Sequence, residues 1–315
     1  MSSPVVVTPV VWTIAGFDPS SGAGITADLK TISSLGCYGV ACITALTVQN
    51  TLGVRRVEPV SAKTVLETLQ ALRDDLPPNA IKIGMLATAE IATLVADFVD
   101  DFVAGIVDGP GSSRCPVVLD PILRSSSGVE LLDAAGVQVV RECLLRLATV
   151  VTPNCLEAAI LTRWPRVGAL PTMGSAPSDL ERVADSDANR VANNVASNDA
   201  EPDAESLALA LRQMGAAAVV VTGGDGQGEH CRDLLAYSLQ GVEMVETLSA
   251  SRIHSPSTHG TGCAFSTAIA CGLAQGKSIP AAVTAAKQFV RRAMERAPGL
   301  GCGAGPMGLD RAGFE

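Results

Sequence analysis

Short apolar runs alternate with helical segments along most of this chain, and each run ends in polar turn residues. The runs are rich in Val, Ile and Leu, which is typical of strands buried on both faces of a sheet. The strands predicted in this way are residues 9–16, 38–48, 80–83, 117–119, 149–152 and 217–221. A short strand at 54–57 and a hairpin of residues 233–239 and 242–248 are also predicted. Strands that alternate with helices form parallel sheets. The chain is therefore predicted to be a single α/β domain with a mostly parallel central sheet and helices on both faces.

The composition excludes several kinds of protein. Apolar residues make up 47% of the chain and charged residues 17%, which indicates a compact core. No apolar run reaches the roughly 18 residues that a membrane helix needs. The net charge is −9 without a basic stripe, which makes nucleic acid a poor partner. The nine cysteines include no C-x-x-C pair, which argues against zinc and favours a reducing compartment. We expect a soluble cytoplasmic protein.

Two segments lack the pattern of the rest. Residues 165–205 combine many Asp and Glu with Ala, Asn, Ser and Pro, and they contain few large apolar residues. Such a composition cannot bury a core, so it predicts a disordered insertion. The glycine-rich residues 298–315 have no periodicity and predict a flexible tail.

The segment 258–263, Thr-His-Gly-Thr-Gly-Cys, directly precedes the apolar helical run 264–273. The backbone amides before Cys263 can converge at the N-terminus of this helix, where unpaired N–H groups and the helix dipole favour an anion such as phosphate. In the first turn the same field favours thiolate over thiol. Cys263 is then a candidate proton acceptor for a hydroxyl that attacks a phosphate. The alternative is a tight turn followed by a buried cysteine.

Two other glycine motifs suggest nucleotide binding but lack the context it needs. The segment 22–27 fits G-x-G-x-x-A, which makes an NAD-dependent oxidoreductase an alternative. That class needs an acidic residue at the end of the second strand, where this chain has Gln49 and Asn50. The segment 272–278 resembles a Walker A loop, but it is one residue short and follows a helix. Any use of ATP would therefore proceed without a P-loop.

Polar side chains follow two neighbouring predicted strands. Asp120 comes directly after residues 117–119, and Asn154 and Glu157 follow the next strand. A nucleotide-dependent phosphoryl transfer needs acidic groups to hold Mg²⁺, usually through its waters. The alternative makes Asp120 a turn residue and Glu157 a partner of the helix dipole.

Several long segments, in order, resemble one family. They are residues 13–31, 43–51, 82–86, 118–121, 152–154 with Glu157, and 258–263. The sequence is similar to the hydroxymethylpyrimidine and phosphomethylpyrimidine kinases of thiamine biosynthesis, within the ribokinase superfamily. The resemblance implies a ribokinase-like fold.

The resemblance also implies roles for individual residues. Gln49 would hydrogen-bond the aminopyrimidine edge, because an amide offers both a donor and an acceptor. Gly16, Ala23 and Met85 would complete the pyrimidine pocket. Asp120 and Glu157 would belong to the Mg²⁺ network.

The remaining implied roles concern ATP and the transferred phosphoryl group. The amides of Gly260, Thr261 and Gly262 would form the anion hole, and Cys263 would be the base. The residues expected to bind ATP are Thr222, Gly224 and Asn154.

This chain departs from the family pattern in three places. Thr222 stands where the family often has lysine, and a hydroxyl can hydrogen-bond a phosphate but cannot neutralise it. The segment 124–128 replaces a loop that often contains Lys-Ser-Gly, and Arg124 is a candidate to compensate. The segment 303–306, Gly-Ala-Gly-Pro, lacks the histidine of the usual Gly-His-Gly-Pro.

We therefore expect ATP-dependent phosphorylation of 4-amino-5-hydroxymethyl-2-methylpyrimidine, followed by phosphorylation of its monophosphate to the diphosphate. The family suggests a homodimer. A pyridoxal kinase of the same superfamily is one alternative. A non-catalytic pyrimidine sensor is another, because Thr222 replaces the lysine.

Overall fold

The computed structural model describes residues 8–105, 114–125, 128–164, 203–224, 226 and 228–309. In these ranges the strands form one nine-stranded sheet in the order β3-β2-β1-β4-β5-β6-β7-β8-β9. The strands are β1 (Val10–Phe17), β2 (Tyr38–Asn50), β3 (Gly53–Pro59), β4 (Ala80–Ile83), β5 (Val117–Leu119), β6 (Val150–Val151), β7 (Ala218–Val221), β8 (His230–Leu239) and β9 (Val242–Ser251).

The helices follow the strands as the alternation predicts. They are α1 (Gly24–Ser34), α2 (Ala62–Asp75), α3 (Ala89–Gly105), α4 (Ala134–Val139), α5 (Leu145–Leu147), α6 (Cys155–Thr162), α7 (Ala204–Gln213), α8 (Thr261–Ala274) and α9 (Ile279–Glu295). A π-helical turn, Val140–Leu144, joins α4 to α5. Side chains cap two of these helices, since Ser61 accepts from Thr64 N at the start of α2 and Asp133 accepts from Gly136 N at the start of α4.

Six neighbouring strands in the middle of the sheet are parallel to one another: β2, β1, β4, β5, β6 and β7. The edge strands are antiparallel: β3 pairs with β2, and the β8–β9 hairpin extends the other edge. This hairpin turns at Gln240 and Gly241, whose φ angles are 52° and 81°, as in the type I′ turns that match strand twist. The prediction of a mostly parallel sheet is confirmed.

Apolar clusters cover both faces of the sheet. Helices α2 to α7 pack on one face, where Trp12 lies with its ring centroid 5.8 Å from that of Phe102. Helices α1, α8 and α9 pack on the other face around buried residues such as Phe289. The prediction of a single domain with helices on both faces is confirmed. In the described ranges no helix is both long and apolar enough to cross a membrane.

The structure describes different parts of the predicted insertion, residues 165–205, and of the predicted tail, residues 298–315. Residues 165–202 of the predicted insertion lie outside the described residues, and helix α7 already begins at Ala204, where Asp203 accepts from Glu205 N. In the described part of the predicted flexible tail, residues 298–302 are exposed, but its end is packed: Met307 and Leu309 are buried, and Ser34 Oγ donates to Leu309 O at 2.5 Å. Hydrogen bonds to the rest of the fold hold this segment without helical or strand periodicity.

Candidate active site

One cavity of about 1110 Å³ lies at the carboxyl ends of the parallel strands, where ligands of such folds bind. Every residue to which the sequence assigned a binding or catalytic role lines it. They are Gly16, Ala23, Gln49, Met85, Asp120, Asn154, Glu157, Thr222, Gly224, Gly260, Thr261, Gly262 and Cys263. The fold brings these residues together, and their individual roles stay predictions.

Glycines let the β1–α1 loop pack against the turn before α8. A Cβ at Gly260, which has a φ of 79°, would lie 1.9 Å from Gly22 O. A Cβ at Gly22 would lie 2.2 Å from the His259 ring, and one at Gly24 would lie 2.3 Å from Gly16 O. Close backbone packing therefore explains the G-x-G-x-x-A spacing, and this removes the observation that suggested the oxidoreductase.

The N-terminus of α8 borders the cavity. Gly260 is the N-cap residue, and Gly262 is exposed with nothing within 4 Å of the position of a Cβ. Thr261 N lies 3.4 Å from Thr258 O, a long hydrogen bond. Because first-turn amides lack intrahelical acceptors and carry the positive end of the helix dipole, this turn suits a phosphate.

Cys263 does not have the acidity predicted from its place in the first turn. Burial raises the pKa of this thiol to about 12, and the neighbouring carboxylates of Asp120 and Asp28 act in the same direction. The charge of Lys82 and a hydrogen bond from the Gly24 amide lower the pKa but do not offset burial. The expectation that thiolate is favoured over thiol at Cys263 is wrong, because burial outweighs the groups that stabilise the thiolate.

Asp120, which also lines the cavity, is more acidic than Cys263. Its side chain is buried, and Ser266 Oγ donates to its Oδ2 at 3.1 Å. Burial raises the pKa of Asp120 to about 6, against the opposing effects of Lys82 and Ser266. The carboxylate therefore titrates close to neutrality.

A buried ion pair lies beneath α8. Lys82 Nζ is 2.9 Å from Asp28 Oδ2, and both side chains are fully buried. Thr13 and Thr267 donate to the same carboxylate at 2.6 and 2.8 Å. Burial opposes the charged form of Lys82, but nearby acidic groups, led by Asp28, outweigh it and raise its pKa. Lys82 thereby places a positive charge near Cys263 and Asp120, and Asp28 partly offsets it.

Asn154 and Glu157 form a capping box at the start of α6. Glu157 N donates to Asn154 Oδ1 at 2.8 Å, and Asn154 N donates to Glu157 Oε2 at 3.0 Å. Asn154 also pairs with Thr222 in an isolated β-bridge. Both residues therefore have a structural role in addition to any contact with a nucleotide or a metal ion.

Charged side chains support the turn that contains Thr222 and Gly224. Gly223 N donates to Asp233 Oδ1 at 3.0 Å, and Lys287 Nζ lies 2.6 Å from Asp233 Oδ2. Arg252 Nη1 donates to Gly224 O at 2.7 Å. Both cations line the cavity, so positive charge is present near the position where the family often has lysine.

Gln49 lies at the opposite end of the cavity. Its Nε2 is 2.9 Å from His259 Nε2, which is 2.8 Å from Asp18 Oδ2. A Cβ at Gly16 would lie 2.8 Å from Met85 Sδ, so these two residues form one compact wall. The amide is thus held beside the turn that precedes α8.

The family model for phosphomethylpyrimidine kinase matches this chain over residues 18–188 and 185–308. The chain belongs to the phosphomethylpyrimidine kinase family. A hydroxymethylpyrimidine/phosphomethylpyrimidine kinase of Rhizobium meliloti is 39% identical over 303 residues, which cover 96% of this chain and 97% of that protein. The resemblance found in the sequence is confirmed.

Solved structures of kinases have the same fold. A Bacillus subtilis pyridoxal kinase with ADP superposes with a TM-score of 0.72 and 30% identity, covering 96% of this chain and 97% of the other. A phosphomethylpyrimidine kinase of Clostridium difficile has a TM-score of 0.62 and 30% identity, covering 90% of this chain and 98% of the other. The predicted ribokinase-like fold is confirmed, and the chain is a kinase that uses ATP.

Sequence reasoning assigned no role to several residues that shape the site. Lys82 is a charged residue in the otherwise apolar strand β4. Asp28 is a charged residue on the buried face of α1. A charged residue in such a position indicates a buried partner of opposite charge. This pattern could have identified Lys82 and Asp28 from the sequence. Arg252, Asp233 and Lys287 gave no comparable signal, because they come together through the β8–β9 hairpin and α9.

The acidic residues of this kinase fit a loosely held Mg²⁺. Within the described ranges no three His, Cys, Asp or Glu side chains cluster closely enough to bind a metal ion by themselves. Asp120 and Glu157 both line the cavity. Mg²⁺ in kinases usually keeps several waters and binds through one or two carboxylates and the nucleotide phosphates, which is what this donor set can supply.

Proposed function

We propose that this protein transfers the γ-phosphoryl group of ATP to the hydroxymethyl group of 4-amino-5-hydroxymethyl-2-methylpyrimidine, and then phosphorylates the monophosphate to the diphosphate. One observation carries the proposal. Gln49, the candidate reader of the pyrimidine, lies within 2.9 Å of His259, the residue directly before the anion turn. Recognition of the ring and stabilisation of the phosphoryl group are therefore neighbouring functions in one cavity.

The two steps need different help from the protein. In the first, the alcohol oxygen bonds to the γ-phosphorus, the bond to the ADP oxygen breaks, and the hydroxyl proton must leave. Cys263 is the proposed acceptor of that proton. In the second step the nucleophile is a phosphate oxygen that is already anionic. The amides of Gly260, Thr261 and Gly262 stabilise the transferring group in both steps.

The nucleotide end of the cavity has its own proposed contacts. Thr222, Gly224 and Asn154 bind ATP, and Arg252 and Lys287 supply positive charge nearby. Asp120 and Glu157 would hold Mg²⁺. When bound, Mg²⁺ neutralises charge that develops on the phosphate oxygens.

The proposal is tested by measuring ADP release with three acceptors: the pyrimidine alcohol, its monophosphate and pyridoxal. We expect ADP with both pyrimidines and a much lower kcat/KM with pyridoxal. A preference for pyridoxal would identify a pyridoxal kinase, which the fold similarity to pyridoxal kinases makes the second candidate. Pyrimidine binding without ADP release would identify a sensor.

Gln49→Ala tests recognition of the ring. Loss of the amide should raise the KM for the pyrimidine alcohol by about tenfold or more, because it leaves ring polar groups unpaired. The KM for ATP should stay within about twofold. Steady-state kinetics with each substrate varied in turn measure both values. An equal rise in the two KM values would contradict a role in pyrimidine recognition.

The quaternary structure and the cellular location are also proposed. Leu46 and Val48 are 48% and 46% exposed on one face of β2, and Leu52 is 66% exposed in the turn that joins β2 to β3 in a hairpin. An apolar surface of this kind favours a homodimer interface. All nine cysteines are free thiols, as expected in the reducing cytoplasm.

A further inference from the structure

Three polar side chains meet at the pyrimidine end of the cavity, and their protons are not independent. His259 Nε2 lies 2.8 Å from Asp18 Oδ2 and 2.9 Å from the near end of the Gln49 amide. The far end of that amide lies 3.3 Å from Thr47 Oγ1. His259 Nε2 thus faces both Asp18 and Gln49 at hydrogen-bonding distance. Whether this nitrogen carries a hydrogen decides which end of the Gln49 amide, the oxygen or the NH₂ group, lies beside it.

Asp18 fixes the proton on His259. Its carboxylate accepts from Ser20 N at 2.8 Å and from Ala23 N at 2.9 Å. Burial would raise the pKa of Asp18, but the hydrogen bonds from His259, Ser20 and Ala23 lower it. An ionised carboxylate can only accept. His259 Nε2 must therefore carry a hydrogen, since a bare ring nitrogen would set its lone pair against a carboxylate oxygen.

The proton on His259 in turn fixes Gln49. An amide NH₂ cannot face a ring N–H, so the group beside His259 is the amide oxygen Oε1. The oxygen and nitrogen of an amide exchange by a half-turn of the last torsion without a change of shape. The NH₂ group then faces Thr47. Thr47 can accept from it, because its own hydrogen is donated to Phe17 O at 3.0 Å. In this arrangement the ring N–H and one amide N–H each face an acceptor.

We propose that His259 is a positioning residue that sets the orientation of the Gln49 amide and thereby the orientation of the pyrimidine. The inference rests on the proposed function. In the substrate the ring nitrogen accepts, the adjacent 4-amino group donates, and the 5-hydroxymethyl group is next to the amino group. With Oε1 on the His259 side, the amino group binds on that side. The hydroxymethyl group is then directed to the turn 260–263, and the opposite amide orientation would direct it away.

The test compares two alcohols with opposite hydrogen-bonding edges. The 4-amino pyrimidine alcohol presents an acceptor and then a donor, and its 4-oxo analogue presents a ring N–H donor and then an acceptor. The native enzyme should prefer the 4-amino alcohol. In His259→Phe the amide is free to turn, so the ratio of the two kcat/KM values should fall by about tenfold or more. The matched control is His254→Phe, since His254 is exposed and does not line the cavity; it should keep the native ratio.

Damage to the fold alone would lower both kcat/KM values and leave their ratio unchanged, and that outcome would overturn the proposal. A second measurement does not depend on activity. NMR of ¹⁵N-histidine-labelled native protein, with the His259 signal assigned from its loss in His259→Phe, should show a proton on Nε2. A proton on Nδ1 alone would also overturn the proposal. A native enzyme that releases no ADP would instead defeat the proposed function, and the NMR result would still decide the tautomer.

Discussion

Cys263 and Asp120 illustrate how burial sets the chemistry of single residues in this site. Burial raises the pKa of the Cys263 thiol to about 12 and that of Asp120 to about 6. At neutral pH the first group is a thiol, and the second is mostly a carboxylate. The thiol becomes a base only as the pH rises or as substrate changes its surroundings.

Cys263→Ala should therefore separate the two steps. We expect the rate of alcohol phosphorylation to fall by about 10²-fold or more, the usual contribution of a general base. Phosphorylation of the monophosphate should fall by less than about tenfold, because its nucleophile has no proton to lose. Single-turnover assays that start from the alcohol or from the monophosphate measure each rate. Cys271→Ala, a buried cysteine of the same helix, is the control, and equal losses in both steps would assign Cys263 to packing.

The pH dependence of the first step should follow from the same thiol. Below a pKa of about 12 the reactive thiolate is the minor form, so kcat/KM for the alcohol should rise from neutral to alkaline pH. In Cys263→Ala this rise should disappear. A native profile that is flat between pH 7 and pH 9 would contradict the assignment.

Asp120→Asn should stabilise the fold while it impairs activity. A carboxyl whose pKa is raised on folding, here to about 6, destabilises the folded state as the pH rises from the unfolded pKa to the folded one. The variant should gain roughly 1–3 kcal/mol in the free energy of unfolding above pH 6. Below pH 4 it should gain little. Urea denaturation at pH 4 and pH 7.5 measures both differences, and a loss of stability at pH 7.5 would contradict the expected sign.

At the scale of elements, the start of α6 combines a structural and a proposed functional role. The capping box uses Asn154 Oδ1 and Glu157 Oε2. A glutamine can replace glutamate in a capping box, because its side chain still offers an oxygen acceptor. The two roles can therefore be separated by substitution.

Glu157→Gln should leave the free energy of unfolding within about 0.5 kcal/mol of the native value, but it should raise the Mg²⁺ concentration that gives half-maximal rate. Asn154→Ala should destabilise the fold by about 1 kcal/mol. Urea denaturation and Mg²⁺ titrations of the rate test both statements. If Glu157→Gln has the native Mg²⁺ dependence, Glu157 serves the helix alone.

At the scale of the whole molecule, the exposed apolar face of the β2–β3 hairpin is the candidate dimer interface. Leu46→Glu with Val48→Glu should convert a dimer into a monomer in sedimentation velocity at micromolar concentration. Leu239 and Val242 are also exposed, at 53% and 60%, but lie on the hairpin at the opposite edge of the sheet. Glutamates there should leave the dimer intact. A native protein that sediments as a monomer would overturn the proposal.

The local patterns predicted most of the elements and failed where long-range contacts decide. Strand β4 has the predicted bounds, because the apolar run that indicates it acts within a few positions. Helix α7 begins at Ala204, within the predicted insertion 165–205, because the polar Asp203 caps it. The tail from residue 298 was predicted to be flexible because it has no periodicity, yet Leu309 is buried and accepts a hydrogen bond from Ser34 of α1.

For the site, the sequence by itself determined which residue types follow which strands, and parallel topology then places them at one edge of the sheet. Tertiary structure alone decided the acidity of Cys263, the pairing of Lys82 with Asp28, and the contact of His259 with both Gln49 and Asp18. Each of these depends on groups far apart in the chain and on the exclusion of water between them. A hydrogen bond or a pKa is a property of such an environment, and no local pattern of residues contains it.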